Sequence, residues 1–234
     1  MIITCASSKG GVGKSTTCAC LAGSFAHLGE TVHIVDLDAN RTVSRWFHDV
    51  RTRPRAITVS TPDPQHLTEH LQELARTIAP DFIMIDVAGV YERALTVAAA
   101  RAHLTIIPTT LSEADVYEAE KTAAHIDQIF ASFGQEAMFR LLLTKVQTLQ
   151  SHGQRHAARE IQRKHLPLLN CVLGLRAAYE EIGLSGLPPH YADKSRETVA
   201  KAVVELDALC SEILAIIKQR EPKFSALSSV GGIR

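Results

Sequence analysis

The chain has 234 residues, 46% apolar and 21% charged, with 25 Lys and Arg balancing 25 Asp and Glu. A single domain of this length buries roughly 70–75% of its unfolded surface without a disulfide or metal staple, and the composition excludes a disordered chain and a wholly basic nucleic-acid binder. The five cysteines show no CxxC or Cys/His ligand spacing and read as reduced thiols. No apolar run approaches the roughly 18–20 residues of a membrane span, and Met1-Ile2-Ile3-Thr4 carries no basic leader, so a cytoplasmic protein is expected.

Apolar, β-branched runs alternate with helical patterns along the chain. Ile2 to Ala6 predicts a buried strand, then a Gly-rich turn, then a helix from Ser15 to about Leu28 with Gly29 as its left-handed cap. Thr31 to Asp36 is a second strand. Leu67, Leu71, Leu74 and Ile78 mark one face of a helix that Pro80 ends. Phe82 to Asp86 and Leu104 to Ile107 are further strands, the latter closed by Pro108. Ser112, with Asp115 three residues on, starts a long helix. Its buried face is Val116, Ala119, Ala123, Ile126, Phe130 and Phe133, and Gly134 stops it. Leu141 to Val146 and Leu168 to Leu173 flank a polar helix. A last helix follows Ser195, with Val199, Val203, Leu206, Cys210, Ile213 and Ile217 on one side. Strands buried on both faces and alternating with helices predict a doubly wound, mostly parallel α/β sheet with helices on both sides. One domain over residues 1–220 is expected, with a tail over 221–234.

The first strand runs into Ser8-Lys9-Gly10-Gly11-Val12-Gly13-Lys14-Ser15-Thr16 and a helix begins at once. A chain wrapping a triphosphate needs inward-pointing backbone N–H groups, and glycines at 10, 11 and 13 remove the side chains that would block the approach. The helix N-terminus adds partial positive charge. Lys14 reaches the β- and γ-phosphates, and the Ser15 hydroxyl ligates Mg²⁺. Ser8 stands where the general phosphate-loop pattern has its first glycine, and Lys9 is an additional lysine at the loop entrance.

That loop resembles the deviant Walker A loop of the ParA/MinD ATPases, and two further segments carry the resemblance. Val35-Asp36-Leu37-Asp38-Ala39-Asn40 is similar to the family's first switch, with Asn40 where Gln is usual and Ala39 where Pro is common. Phe82 to Asp86 resembles a Walker B strand, followed by Val87-Ala88-Gly89 as a second switch. The resemblance implies ATP and Mg²⁺ as ligands. It implies that Asp38 orients the attacking water, and that Ser15, Asp36 and Asp86 serve the metal. Residues 9–16, Val12 and Thr16 included, hold the nucleotide, and Lys9 reaches a partner's nucleotide across an ATP-dependent homodimer. Lys9, Lys14 and Asp38 are thus the expected catalytic set. Ile107-Pro108-Thr109 and Thr144-Lys145 resemble the family's adenine-side loops, and Leu175 to Tyr179 a late segment of small ParA proteins. Asn40-Arg41 with Arg45-Trp46 also resembles the VirC-type members, which serve conjugative DNA transfer.

Charge is segregated despite the zero sum. Residues 145–165 hold Lys145, Arg155, Arg159, Arg163 and Lys164 against Glu160 alone, a net +4. Arg155, Arg159 and Arg163 recur every four residues as one basic helix stripe, which with Lys164 is a candidate for non-specific contact with double-stranded DNA. The functional expectation is a slow ATP hydrolase that partitions plasmid or other DNA cargo with a ParB-like centromere-binding adaptor. The alternative is a nucleotide-gated recruitment factor for a conjugation protein. The tail from Phe224 has no amphipathic basic helix, which argues against a membrane switch.

Overall fold

The computed structural model describes residues 1–49, 51–87 and 92–219, less the side chains of Glu92 and Arg93. The expected tail and the Ala88-Gly89 part of the second switch lie outside the described residues. The strands are β1 (Ile2–Cys5), β2 (Val32–Asp36), β3 (Ile57–Ser60), β4 (Phe82–Asp86), β5 (Leu104–Thr109), β6 (Phe139–Val146) and β7 (Leu168–Gly174). They form one sheet in the order β3-β2-β4-β1-β5-β6-β7, and every pairing is parallel. The helices are α1 (Lys14–His27), α2 (Thr42–Trp46), α3 (Leu67–Thr77), α4 (Glu92–Arg101), α5 (Glu113–Ala131), α6 (His152–Arg163), α7 (Ala177–Glu180), α8 (Ile182–Ser185) and α9 (Glu197–Lys218).

Alternation along each strand divides the core in two. Ile3, Cys5, Val32, Ile34, Phe82 and Met84 face α1, α2 and α9, with the Phe25 and Phe82 rings stacked at 4.0 Å. Their neighbours Ala6, Val35, Ile83 and Ile85 face α3 and α4, and Ile107 and Leu141 face α5. Because side chains of successive strand residues point to opposite faces, a run apolar on both sides requires two helical layers. Helix α1 is buried from Thr17 to Ala26, so the element behind the glycine loop is packed on all sides.

The outer edge at β7 is closed by side chains. Glu212 on α9 accepts from the amides of Asn170 (2.8 Å) and Cys171 (2.9 Å), and Glu205 accepts from Gly174 (3.1 Å). An open edge offers unpaired amides to any passing strand, and carboxylates on these amides remove that template.

Several expectations are corrected. β3 is a seventh strand, short and half exposed, and α2, α4, α7 and α8 are additional helices. Pro108 lies within β5, paired to Leu142. Alternation from Thr105, whose amide donates to Met138 on the β6 side, turns the Pro108 nitrogen to the β1 side, past the last residue of β1, Cys5. Ile78 and Phe133 are exposed rather than on buried helix faces, since α3 ends at Thr77 and α5 at Ala131. Ser112 caps α5 by accepting from the Asp115 amide at 3.1 Å, but the Asp115 carboxylate turns elsewhere.

Candidate functional site

The loop between β1 and α1 depends on two glycines. Gly11 has φ 81° and Gly13 φ 92°, values that strain any residue with a Cβ. Gly13 caps α1, whose first turn has neither a side-chain cap nor an acidic residue. Its N–H groups are therefore left for an anion. A Cβ at Gly10 or Gly11 would meet nothing within 4 Å, so the outer side of the loop is open. Two groups on β6 fasten the loop from below. Thr144 Oγ donates to the Val12 carbonyl at 2.8 Å, and Lys145 Nζ to the Gly11 carbonyl at 2.8 Å.

The two loop lysines stand differently. Lys14 is buried and donates to the Lys9 carbonyl at 2.7 Å. Burial lowers its pKa, opposed by the charges of Asp86 and Asp38. Lys9 is half exposed, and its Nζ pairs with Asp115 of α5 at 2.9 Å. Asp115 also accepts from the Thr110 hydroxyl, and the neighbouring Ser8 hydroxyl donates to Glu118 at 2.8 Å. Ser15 and Thr16 are half buried at the start of α1, and the buried Thr17 hydroxyl has no partner among the described residues.

The three acids converge at the carboxyl ends of β2 and β4, where open parallel sheets place their ligands. Asp36 and Asp86 are register partners, exposed by only 2% and 1%. Asp36 accepts from the Asp38 amide (3.0 Å), the Ser44 amide (2.9 Å) and the Ser44 hydroxyl (2.9 Å). Asp86 accepts no hydrogen bond at either oxygen among the described residues. Burial pushes its carboxyl up to about 7, a shift that the Ser15 hydroxyl and the Lys14 ammonium oppose and the Asp36 and Asp38 charges reinforce. Asp38 is half buried, and one oxygen accepts from the Asn40 amide at 2.8 Å.

This donor set fits a hard divalent cation. A buried carboxylate without partners beside a hydroxyl and an anion-ready helix terminus suits Mg²⁺, which prefers one or two carboxylates plus phosphate oxygens to an all-protein cage. Among the described residues no three His, Cys, Asp or Glu converge into such a cage. The loop, Ser15, Asp36, Asp38 and Asp86 are thus brought to one place, as expected. The α6 stripe lies elsewhere. Arg155, Arg159 and Arg163 are exposed, but Arg155 donates to the Gln150 carbonyl at 2.7 Å and Arg163 pairs with Glu160 at 2.7 Å. Lys164 pairs with Glu120.

Ser44, Thr110 and Asp115 were not singled out as site residues by sequence reasoning. Ser44 carries no local signal, and Asp115 lies far along the chain from Lys9. Thr144 and Lys145 resemble an adenine-side loop in sequence, and their bonds to the carbonyls of Val12 and Gly11 carry no signal in the spacing.

The family model described as VirC1 protein matches residues 1–210. The ParA protein of Rhizobium radiobacter is 22% identical over 213 residues, 91% of this chain and 95% of that protein. The virC1 protein of the same organism is 30% identical over 140 residues, 56% of this chain and 58% of that protein. Among solved structures, the septum site-determining protein MinD of Pyrococcus horikoshii, complexed with Mg-ADP, matches with a TM-score of 0.63 at 22% identity. That match covers 88% of this chain and 93% of the other, and it speaks to the fold. With the family model spanning most of its length, the chain belongs to the VirC1 family, and its fold is that of the ParA/MinD-type P-loop proteins.

Proposed function

We propose that the protein is a Mg²⁺-dependent ATP hydrolase that dimerises on ATP and binds double-stranded DNA without sequence preference. In this reading it positions plasmid or other DNA cargo through a ParB-like centromere-binding adaptor. The observation that carries the nucleotide half is Asp86, buried with both oxygens unsatisfied beside the loop. An isolated buried charge is costly unless something neutralises it, and metal with phosphate at this loop does so. The Mg-ADP on the MinD neighbour supports the reading.

Lys14 and the amides of residues 10–16 hold the phosphates. Ser15 and Asp86 hold the cation, and Asp36 supports its surroundings through the backbone it fixes. When bound, Mg²⁺ offsets negative charge on the phosphates. Asp38 has one oxygen engaged with Asn40 and the other left to orient the attacking water. Lys9, held at home by Asp115, turns to the partner's nucleotide in the dimer. A positive group supplied in trans is worth roughly 10³–10⁵ in rate where an arginine finger does it, so the monomer hydrolyses slowly. Among the described residues no helix is long and apolar enough to cross a membrane.

The VirC1 family match favours a second reading, a nucleotide-gated recruitment factor for a conjugative DNA-transfer complex. Pull-down with a relaxase or coupling protein, against a centromere-binding adaptor, separates the two.

Sedimentation with Mg·ATP tests the shared core. The wild type is expected to pass from monomer to dimer, and Lys9→Ala to bind nucleotide yet stay monomeric. An unchanged ATP-dependent dimer in Lys9→Ala would remove Lys9 from the interface.

A further inference from the structure

A second basic run starts beside the nucleotide site and leads down to the amino end of the sheet. Residues 40–55 hold Arg41, Arg45, Arg51, Arg53 and Arg55 against Asp49 alone, a net +4 in a shorter span than the α6 region. Arg41 and Arg45 belong to α2 and its start, whereas Arg55 lies at the amino end of the sheet, where the Ala56 carbonyl accepts from the Val32 amide. Val43 and Phe47 turn inward and are buried. Trp46 is wedged against α8, where a Cβ at Gly183 would lie 3.0 Å from its Nε1 and one at Gly186 2.6 Å from its carbonyl. The chain then turns on Asp49, whose carbonyl accepts from the amides of Thr52 (3.2 Å) and Arg53 (3.0 Å). The Asp49 carboxylate takes Arg51 by two bonds of 3.1 Å each. Arg41, Arg45, Arg51 and Arg55 are left exposed. Of these, Arg41, Arg45 and Arg55 have no side-chain partner among the described residues.

The surface is tied to the site by Ser44, which lies between Arg41 and Arg45. Its amide and hydroxyl both donate to Asp36, and the Arg41 amide donates to the Asp38 carbonyl at 2.8 Å. Any rearrangement of Asp36 and Asp38 around bound nucleotide therefore moves the backbone that carries Arg41 and Arg45, the end of the run nearest the site. The α6 stripe has no such tie, and most of its cations are already engaged by Gln150, Glu160 and Glu120.

We propose that Arg41, Arg45, Arg51, Arg53 and Arg55 form the nucleotide-gated contact for the phosphate backbone of double-stranded DNA. This rests on the DNA-binding reading above and moves its principal contacts from α6 to α2 and the turn that follows. All five cations are arginines, whose planar forks match phosphate oxygens bidentately. Val43 and Phe47 point inward and Trp46 packs on α8, so among the described residues the run offers charge without the apolar anchor on which a protein interface is centred. Phosphate contacts need only position and charge.

The test is fluorescence anisotropy of a labelled duplex of random sequence with Mg·ATP, titrated at several salt concentrations. One variant carries Arg45→Gln, Arg51→Gln and Arg55→Gln, and the other Arg155→Gln, Arg159→Gln and Arg163→Gln. Retained ATP binding and dimerisation show that each is folded. The first is expected to weaken DNA binding about tenfold or more and to flatten the log–log salt slope by roughly 0.9 for each phosphate that it no longer neutralises. The second keeps most of the slope. Ser44→Ala is expected to narrow the difference in DNA affinity between ATP-bound and nucleotide-free protein. Unchanged slope and affinity in the first variant would overturn the assignment, wherever the DNA then binds. A wild type that dimerises on ATP but ignores DNA would instead overturn the DNA reading itself. Binding of polyglutamate as tight as binding of DNA would reassign the surface to an acidic protein.

Discussion

Asp36 and Asp86 sit side by side on neighbouring strands, equally buried and in register, yet they are opposite in kind. Asp36 accepts three hydrogen bonds, from the amides of Asp38 and Ser44 and from the Ser44 hydroxyl. Asp86 accepts none. Fully bonded buried carboxylates fix structure, whereas bare ones raise the folded state's energy until a ligand arrives. The difference teaches that the sheet's carboxyl edge has one acid for holding the switch and one reserved for the cation.

The largest effect on stability is expected from removing the bonded acid. Asp36→Ala leaves two half-buried amides and a hydroxyl without their acceptor, and bonds to a charged group are worth roughly 1.5–3 kcal/mol each, less than additively. A loss of about 3–5 kcal/mol should appear in the denaturant midpoint of the nucleotide-free protein. Little or no loss would mean that the segment from Asp38 to Ser44 is held by something else.

A smaller effect, of opposite sign, is expected from the bare acid, measured in chelator without nucleotide. The folded-state value of Asp86, about 7, lies above that of an unfolded aspartate, near ~4. At pH 8 the group is ionised in both states and the folded protein bears the full burial penalty. As pH falls through 7 the folded state takes up a proton that the unfolded chain takes only near ~4, so this group's contribution to stability rises. Between pH 8 and pH 5 the gain is roughly 2–3 kcal/mol. Asp86→Asn lacks it, so the stability of the wild type relative to the variant should rise by that amount towards pH 5. A difference that stays flat with pH would contradict the assignment of a bare, proton-accepting carboxyl.

The same two acids show what the sequence could reveal. Strands β1, β2 and β4 are buried on both faces, so they read as apolar runs, and the acids at their ends stand out at once. β3 is four residues long and half exposed at the sheet edge, so its pattern dissolves among the arginines and prolines around it. Helices α2, α7 and α8 are too short to repeat a 3.6-residue period. The glycine loop was legible in full, because backbone conformation at Gly11 and Gly13 constrains residue type directly. The partners of its acids and lysines were not. Ser44 on Asp36 and Asp115 on Lys9 are tertiary contacts that no spacing encodes. The α6 stripe was legible as a period, but the pairing of the adjoining Lys164 with Glu120 of α5 required the fold.

Asp86 is, on this view, reserved for the cation that accompanies ATP. The most direct test is the affinity of ATP for wild type and Asp86→Asn at pH 8, each titrated with and without Mg²⁺. The wild type is predicted to bind at least about tenfold tighter with Mg²⁺, or roughly 1.4 kcal/mol. Asp86→Asn should bind ATP with an affinity that Mg²⁺ hardly changes. A variant whose affinity responds to Mg²⁺ as the wild type does would contradict the claim and place the cation on other residues.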